Sequence, residues 1–104
     1  GDNLDIGQPY THATLRHCSC TAASGDGIRI SSGATGTTLV LDHCHQDDNG
    51  DEGFNSNADL VLVRAYYSTF NRNDEDGLDI EEEPIDVKLV HCEINDNDGD
   101  GIET

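Results

Sequence analysis

Methionine and tryptophan are missing from this 104-residue chain, and its only cationic side chains are Lys88 and four arginines. So few positive charges, set against 22 aspartates and glutamates, leave a net charge of −17. Such a chain repels phosphate backbones and anionic lipid, so neither nucleic acid nor a membrane surface is expected as a partner. Long apolar runs are lacking too. Nothing approaches the roughly 18 consecutive apolar residues of a spanning helix, so membrane insertion is not expected. No signal-peptide pattern is visible and residue 1 is glycine. With methionine absent, the expectation is a processed product or a piece of something longer, most simply a secreted or cell-surface, extracellular protein.

What is abundant is acid. Dense carboxylates suit bound cations, or a salty medium in which they stay screened, or plain solubility. Apolar residues make up only 34% of the chain. With this charge that share would suggest disorder, but a strong internal period overrides the suggestion.

An acidic residue, a glycine and a large apolar residue recur at Asp26-Gly27-Ile28, Glu52-Gly53-Phe54, Asp76-Gly77-Leu78 and Asp100-Gly101-Ile102. The glycines are 26, 24 and 24 residues apart. Nine residues before each stands Cys18, Cys44, Ser68 or Cys92. Three positions before those come Leu15, Leu41, Ala65 and Leu89, and two further back Ala13, Leu39, Val63 and Val87. Within a unit the apolar positions alternate, as in Val61, Val63 and Ala65, which is the period of a strand with one face inward. Three short strands per unit cannot bury a core alone, whereas stacked units can. The expected fold is all-β: a right-handed, single-stranded parallel β-helix of about four coils, approximately 2–25, 26–51, 52–75 and 76–100, forming one segment over 1–104. A leucine-rich horseshoe would need a different consensus, and the recurrent Asp-Gly steps exclude helices.

The units Leu15-Arg-His-Cys-Ser-Cys, Leu41-Asp-His-Cys-His-Gln and Leu89-Val-His-Cys-Glu-Ile, each leading to an acidic-Gly-apolar step, resemble the β-helix repeats of pectate-lyase-like proteins. The resemblance covers nearly the whole chain. It implies the fold, and a range of functions from polysaccharide lyases, polygalacturonases and epimerases to surface proteins without catalysis. The Asn-Thr-Asp, Gly-His-Gly and Asp-Pro-His signatures of the catalytic members are absent here. Loops that would wall a sugar groove are missing as well, the only insertion being two residues within 31–38. Catalysis is therefore not expected from this segment.

The carboxylates carry the chemistry that remains. Asp96, Asp98 and Asp100, followed by Gly101, have the alternate spacing with which calcium loops converge oxygens on a hard cation. Stacking adds columns: Glu52, Asp76 and Asp100; Asp74 and Asp98; Asp51 and Glu75. Like charges about 5 Å apart repel, and a calcium ion would relieve them. The other reading is a solvated acidic turn whose Asp and Asn supply geometry. Outward on the strand after each glycine lie Asp5, Arg29, Asn55, Asp79 and Glu103, the face on which the family's enzymes bind glycans. Arg29, Asp79 and Glu103 are thus the candidate substrate-binding residues, and Arg29 with Asp5 is a candidate surface ion pair.

Other columns read as structural. Asn49, Asn73 and Asn97 suggest a ladder of amides, each bonding to the next coil. Cys18, Cys44, Ser68 and Cys92 form an inward column whose parallel Cβ vectors disfavour disulfides, with Cys20 in another column. His17, His43, Tyr67 and His91 suggest a ladder of solvent-facing rings rather than a zinc site.

The two ends share one phase, since Asp2-Asn3-Leu4-Asp5-Ile6 aligns with Asp76-Gly77-Leu78-Asp79-Ile80 and the chain stops at Gly101-Ile102-Glu103-Thr104. No cap is visible, so coils are expected to stack end to end, on copies of the chain or on flanking coils. The favoured function is a structural or adhesive module stiffened by calcium. The alternative is the core of an enzyme acting on an anionic polysaccharide.

Overall fold

A computed structural model describes residues 1–80 and 84–104. Among these residues, nine strands alternate between two parallel sheets. The first sheet stacks β1 (Leu4–Ile6), β3 (Ile28–Ile30), β5 (Phe54–Ser56), β7 (Leu78–Asp79) and β9 (Ile102–Glu103). The second stacks β2 (His12–Arg16), β4 (Thr38–Asp42), β6 (Val61–Tyr66) and β8 (Ile85–Val90). The chain thus forms a β-solenoid of about four turns, as the repeat requires.

Register follows the sequence columns. Leu4, Ile28, Phe54, Leu78 and Ile102 pair along the first sheet, and Ala13, Leu39, Val63 and Val87 along the second. From β1 to β3 the offset is Leu4 to Ile28, whereas from β2 to β4 it is His12 to Thr38. The two extra residues therefore fall between the sheets. There Ala34 is buried and Gly36 takes φ +77°, with the Tyr10 ring packed where a Cβ would stand. Glycine is required at that point, because an L side chain would be strained and would also strike the ring.

The expected third strand shrinks to one bridge residue per coil, along Ser19, His45, Thr69 and Glu93. Two left-handed corners flank it and leave no room for a longer strand. His17, His43, Tyr67 and His91 have φ of 51–54°, and Ala22, Asp48, Arg72 and Asp96 have φ of 55–59°. The first corner stacks its rings at 5.1, 5.0 and 5.0 Å in an unbroken ladder.

Inside, Ile28, Ile30, Leu39, Leu41, Phe54, Val63, Phe70 and Leu78 are fully buried. Cys44 and Ser68 share one inward column, with the Cys44 amide donating to Ser68 Oγ at 3.2 Å, and all four cysteines are free thiols. The amide ladder is complete. Asn73 Oδ1 accepts from the amide and side chain of Asn49, both at 3.0 Å, and Asn97 Oδ1 accepts from those of Asn73 at 2.9 Å. Each Nδ2 also donates back to a carbonyl: Cys20, Gln46 and Phe70 in turn. The neighbouring glycine column lies against this ladder, since a Cβ on Gly53 would stand 2.8 Å from Asn73 Nδ2 and the Gly77 carbonyl oxygen. Such contacts, also present at Gly27 and Gly77, are why glycine follows Asp26, Glu52 and Asp76.

Candidate functional site

The turn preceding the first sheet is short and repeats in every coil, so its carboxylates rise in one column. Asp2, Asp26, Glu52, Asp76 and Asp100 occupy it. An aspartate here reaches the amide of the next coil. Asp26 N donates to Asp2 Oδ1 at 2.7 Å, Glu52 N to Asp26 Oδ1 at 3.0 Å, and Asp100 N to Asp76 Oδ1 at 2.7 Å. Glu52 breaks the series. Its additional methylene carries the carboxyl past the Asp76 amide and into a neighbouring cleft.

That cleft, about 330 Å³ in volume, is walled by Glu52, Asp74, Glu75, Asp76, Asp79, Asp98, Gly99 and Glu103. Every described side chain on it is a carboxylate. Glu52 is only 6% exposed, and its Oε2 accepts no hydrogen bond. Burial pushes the Glu52 carboxyl up to about 9, reinforced by a hydrogen bond it can make only while protonated, to Glu75, and by the charges of Asp26, Glu75 and Asp79. Two facing carboxyls accept and cannot donate, so a proton or a cation has to stand between them. Asp26, one coil earlier, is also raised by burial, opposed by its bonds from the Glu52 amide and from Asn55 Nδ2 at 3.2 Å.

Oxygens of Asp76, Asp100 and Glu103 lie within 4.8 Å of one another, the set of hard ligands that converges among the described residues. This set is drawn from two coils and not from a single loop. Asp98 lines the cleft, but Asp96 does not join it. Its left-handed backbone (φ 59°) places it at the outer corner, in the column of Asp48 and Arg72. There Arg72 pairs with both oxygens of Asp48, at 2.9 and 3.1 Å, holding the Asp48 carboxyl below its usual range. Asp74 lines the cleft while Asp51, beside it in the Gly25, Asp51, Glu75, Gly99 column, lies outside its wall.

The outward column of the first sheet is in register as Asp5, Arg29, Asn55, Asp79 and Glu103. Its members do not act together. Asp79 and Glu103 join the acidic cleft. Arg29 is exposed two coils away and forms no ion pair with Asp5, whose Oδ1 instead accepts from Ser31 Oγ at 2.8 Å.

The burial of Glu52 escapes sequence reasoning, since Asp and Glu read alike as acidic turn residues. Asp47 is a second residue of this kind: its carboxylate accepts from the Asn71 amide at 2.8 Å and from Thr69 Oγ1 at 2.9 Å. The recurrence of Asp47, Asn71 and Asn95 at one position is the signal that could have found it, because the Asn95 amide likewise bonds Asn71 Oδ1.

Two all-parallel sheets, stepped turn by turn and joined by left-handed corners, define a β-solenoid. The family model described as "Right handed beta helix region" matches residues 6–104. The chain belongs to the right-handed β-helix family. No curated protein matches it, and no solved structure does.

Proposed function

We propose that this chain is a structural segment of an extracellular β-helix, a rigid spacer that stacks end to end with further coils of its own kind. One observation carries the reading: the inward side chains lose their cover at both ends. Leu39, Leu41, Val63 and Ala65 are fully buried in the middle coils. Their column partners Ala13 and Leu15 at one end, and Val87 and Leu89 at the other, are partly exposed, and Ile102 is 43% exposed. Another coil in register satisfies both the apolar surface and the open backbone edges of β1, β2, β8 and β9. Burial of Cys20 and Cys44, with the Cys20 thiol pushed up chiefly by that burial, keeps these sulfurs unreactive in an oxidising exterior.

Light scattering over a concentration series tests the reading. The mass is expected to rise in multiples of one chain, and Ile102→Lys is expected to return it to a monomer. A monomer at every concentration contradicts the proposal.

The burial that raises the Glu52 carboxyl to about 9 favours a second reading, a glycan-cleaving core. A carboxyl kept protonated near neutral pH beside other carboxylates is the arrangement of a general acid. Ultraviolet detection of unsaturated uronides and reducing-end release from anionic polysaccharides decide it. Turnover that disappears in Glu52→Gln would replace the spacer reading.

A further inference from the structure

We propose that Asp76, Asp100 and Glu103 bind one calcium ion that fastens the last strand, β9, to the coil before it. The ligands come from different parts of two coils. Asp76 lies in the turn before β7, Asp100 in the turn before β9, and Glu103 on β9 itself. Their oxygens fall within 4.8 Å of one another. Oxygens on opposite sides of a calcium ion stand about 4.8 Å apart, given bonds of about 2.4 Å, so the three fit one coordination shell. A set made only of carboxylates selects a hard cation over zinc or copper.

Acid alone would not make a site. The independent observation is Glu52, at 6% exposure, which lines a cleft together with Asp76 and Glu103 and whose buried Oε2 meets no hydrogen-bond donor among the described residues. Among the described residues, no cationic side chain lines that cleft to meet it. The five basic residues lie elsewhere: Arg64 is bound to Asp86 and Arg72 to Asp48, at 3.1 and 2.9 Å. A divalent ion supplies the positive charge that the local sequence withholds.

The position also suits a fastening role. Asp76 already accepts the Asp100 amide at 2.7 Å through Oδ1, leaving its second oxygen for the ion. One ion then ties β9, whose Ile102 is 43% exposed, to the coil before it. It goes beyond the spacer reading and does not depend on it, because a monomer can bind calcium and a filament can form without it. Three carboxylates, buried at Asp76, half-buried at Glu103 and exposed at Asp100, place the affinity in the range of about 0.1–1 mM, that of extracellular calcium modules.

Isothermal titration of the 104-residue chain with calcium chloride, in physiological salt after chelation, tests the site. One ion per chain is expected. Asp100→Asn and Glu103→Gln, both outside the buried core, are expected to weaken binding by roughly tenfold or more while leaving the circular dichroism unchanged. Asp48→Asn, at the far corner, is expected to bind as the parent does. Absence of saturable binding at millimolar calcium overturns the proposal. So does binding of many ions per chain, or equal weakening by Asp48→Asn, since either describes a diffuse counterion atmosphere.

Discussion

Two polar columns run side by side through the same turns, and they behave in opposite ways. Asn49, Asn73 and Asn97 stack amides, each of which donates and accepts, so every member is satisfied by its neighbours. Asp26, Glu52, Asp76 and Asp100 stack carboxylates, which only accept. Their column closes wherever an aspartate reaches the next coil's amide and fails at Glu52, which is left with an orphaned oxygen. A stacked amide is self-sufficient and builds the solenoid. A stacked carboxylate needs a proton or a cation from outside, and that demand locates the site.

The comparison can be broken most forcefully in the amide ladder. Asn73→Ala strips partners from the Asn49 amide and side chain, the Gln46 carbonyl and Asn97 Oδ1 at a buried position. A loss of about 4 kcal/mol is expected in urea unfolding, from several buried groups left without bonds. A loss below about 1 kcal/mol would mean that water replaces the amide freely, and the ladder would not be structural.

In the carboxylate column the sign reverses. Glu52 holds its proton up to about 9 in the folded chain, against an ordinary value of 4.5. Between those values the folded state keeps a proton that the unfolded state has released. Its contribution is therefore whole below pH 4.5 and is lost as pH rises toward 9. Glu52→Gln keeps the shape and donates without titrating. In chelator at pH above 8 it is expected to stabilise the fold by roughly 2 kcal/mol. At pH 4 it should have little effect, so the pH dependence of the unfolding midpoint flattens. Destabilisation at high pH would show that the Glu52 carboxylate is already matched.

The smallest effect belongs to the outer corner. Arg72 and Asp48 are exposed, and exposed pairs contribute little. Arg72→Gln is expected to leave the urea midpoint unchanged within error and to return the Asp48 carboxyl toward its usual value, as followed by NMR titration. A clear drop in the midpoint would make this corner part of the scaffold.

The solenoid was legible because its period is written in many columns at once, from the Asp-Gly steps to the alternation of Val61, Val63 and Ala65. The asparagine and ring ladders were legible for the same reason. The third strand was not, since Ser19, His45, Thr69 and Glu93 pair as single residues between left-handed corners that His, Tyr, Ala, Asp and Arg all occupy here. Nor could spacing show that Asp96 turns away from Asp100 while Glu103 turns toward it. Alternation along one chain says which residues share a face. It does not say which turn meets which strand one coil later.

Residue-resolved hydrogen exchange in calcium and in chelator tests the central contrast most directly. The Asn49 and Asn73 amides, held by Asn73 and Asn97 Oδ1, are expected to exchange at the same rate in both. The Asp100 amide, held by Asp76 Oδ1, is expected to be protected only with calcium present. Equal responses of the two columns would contradict the account.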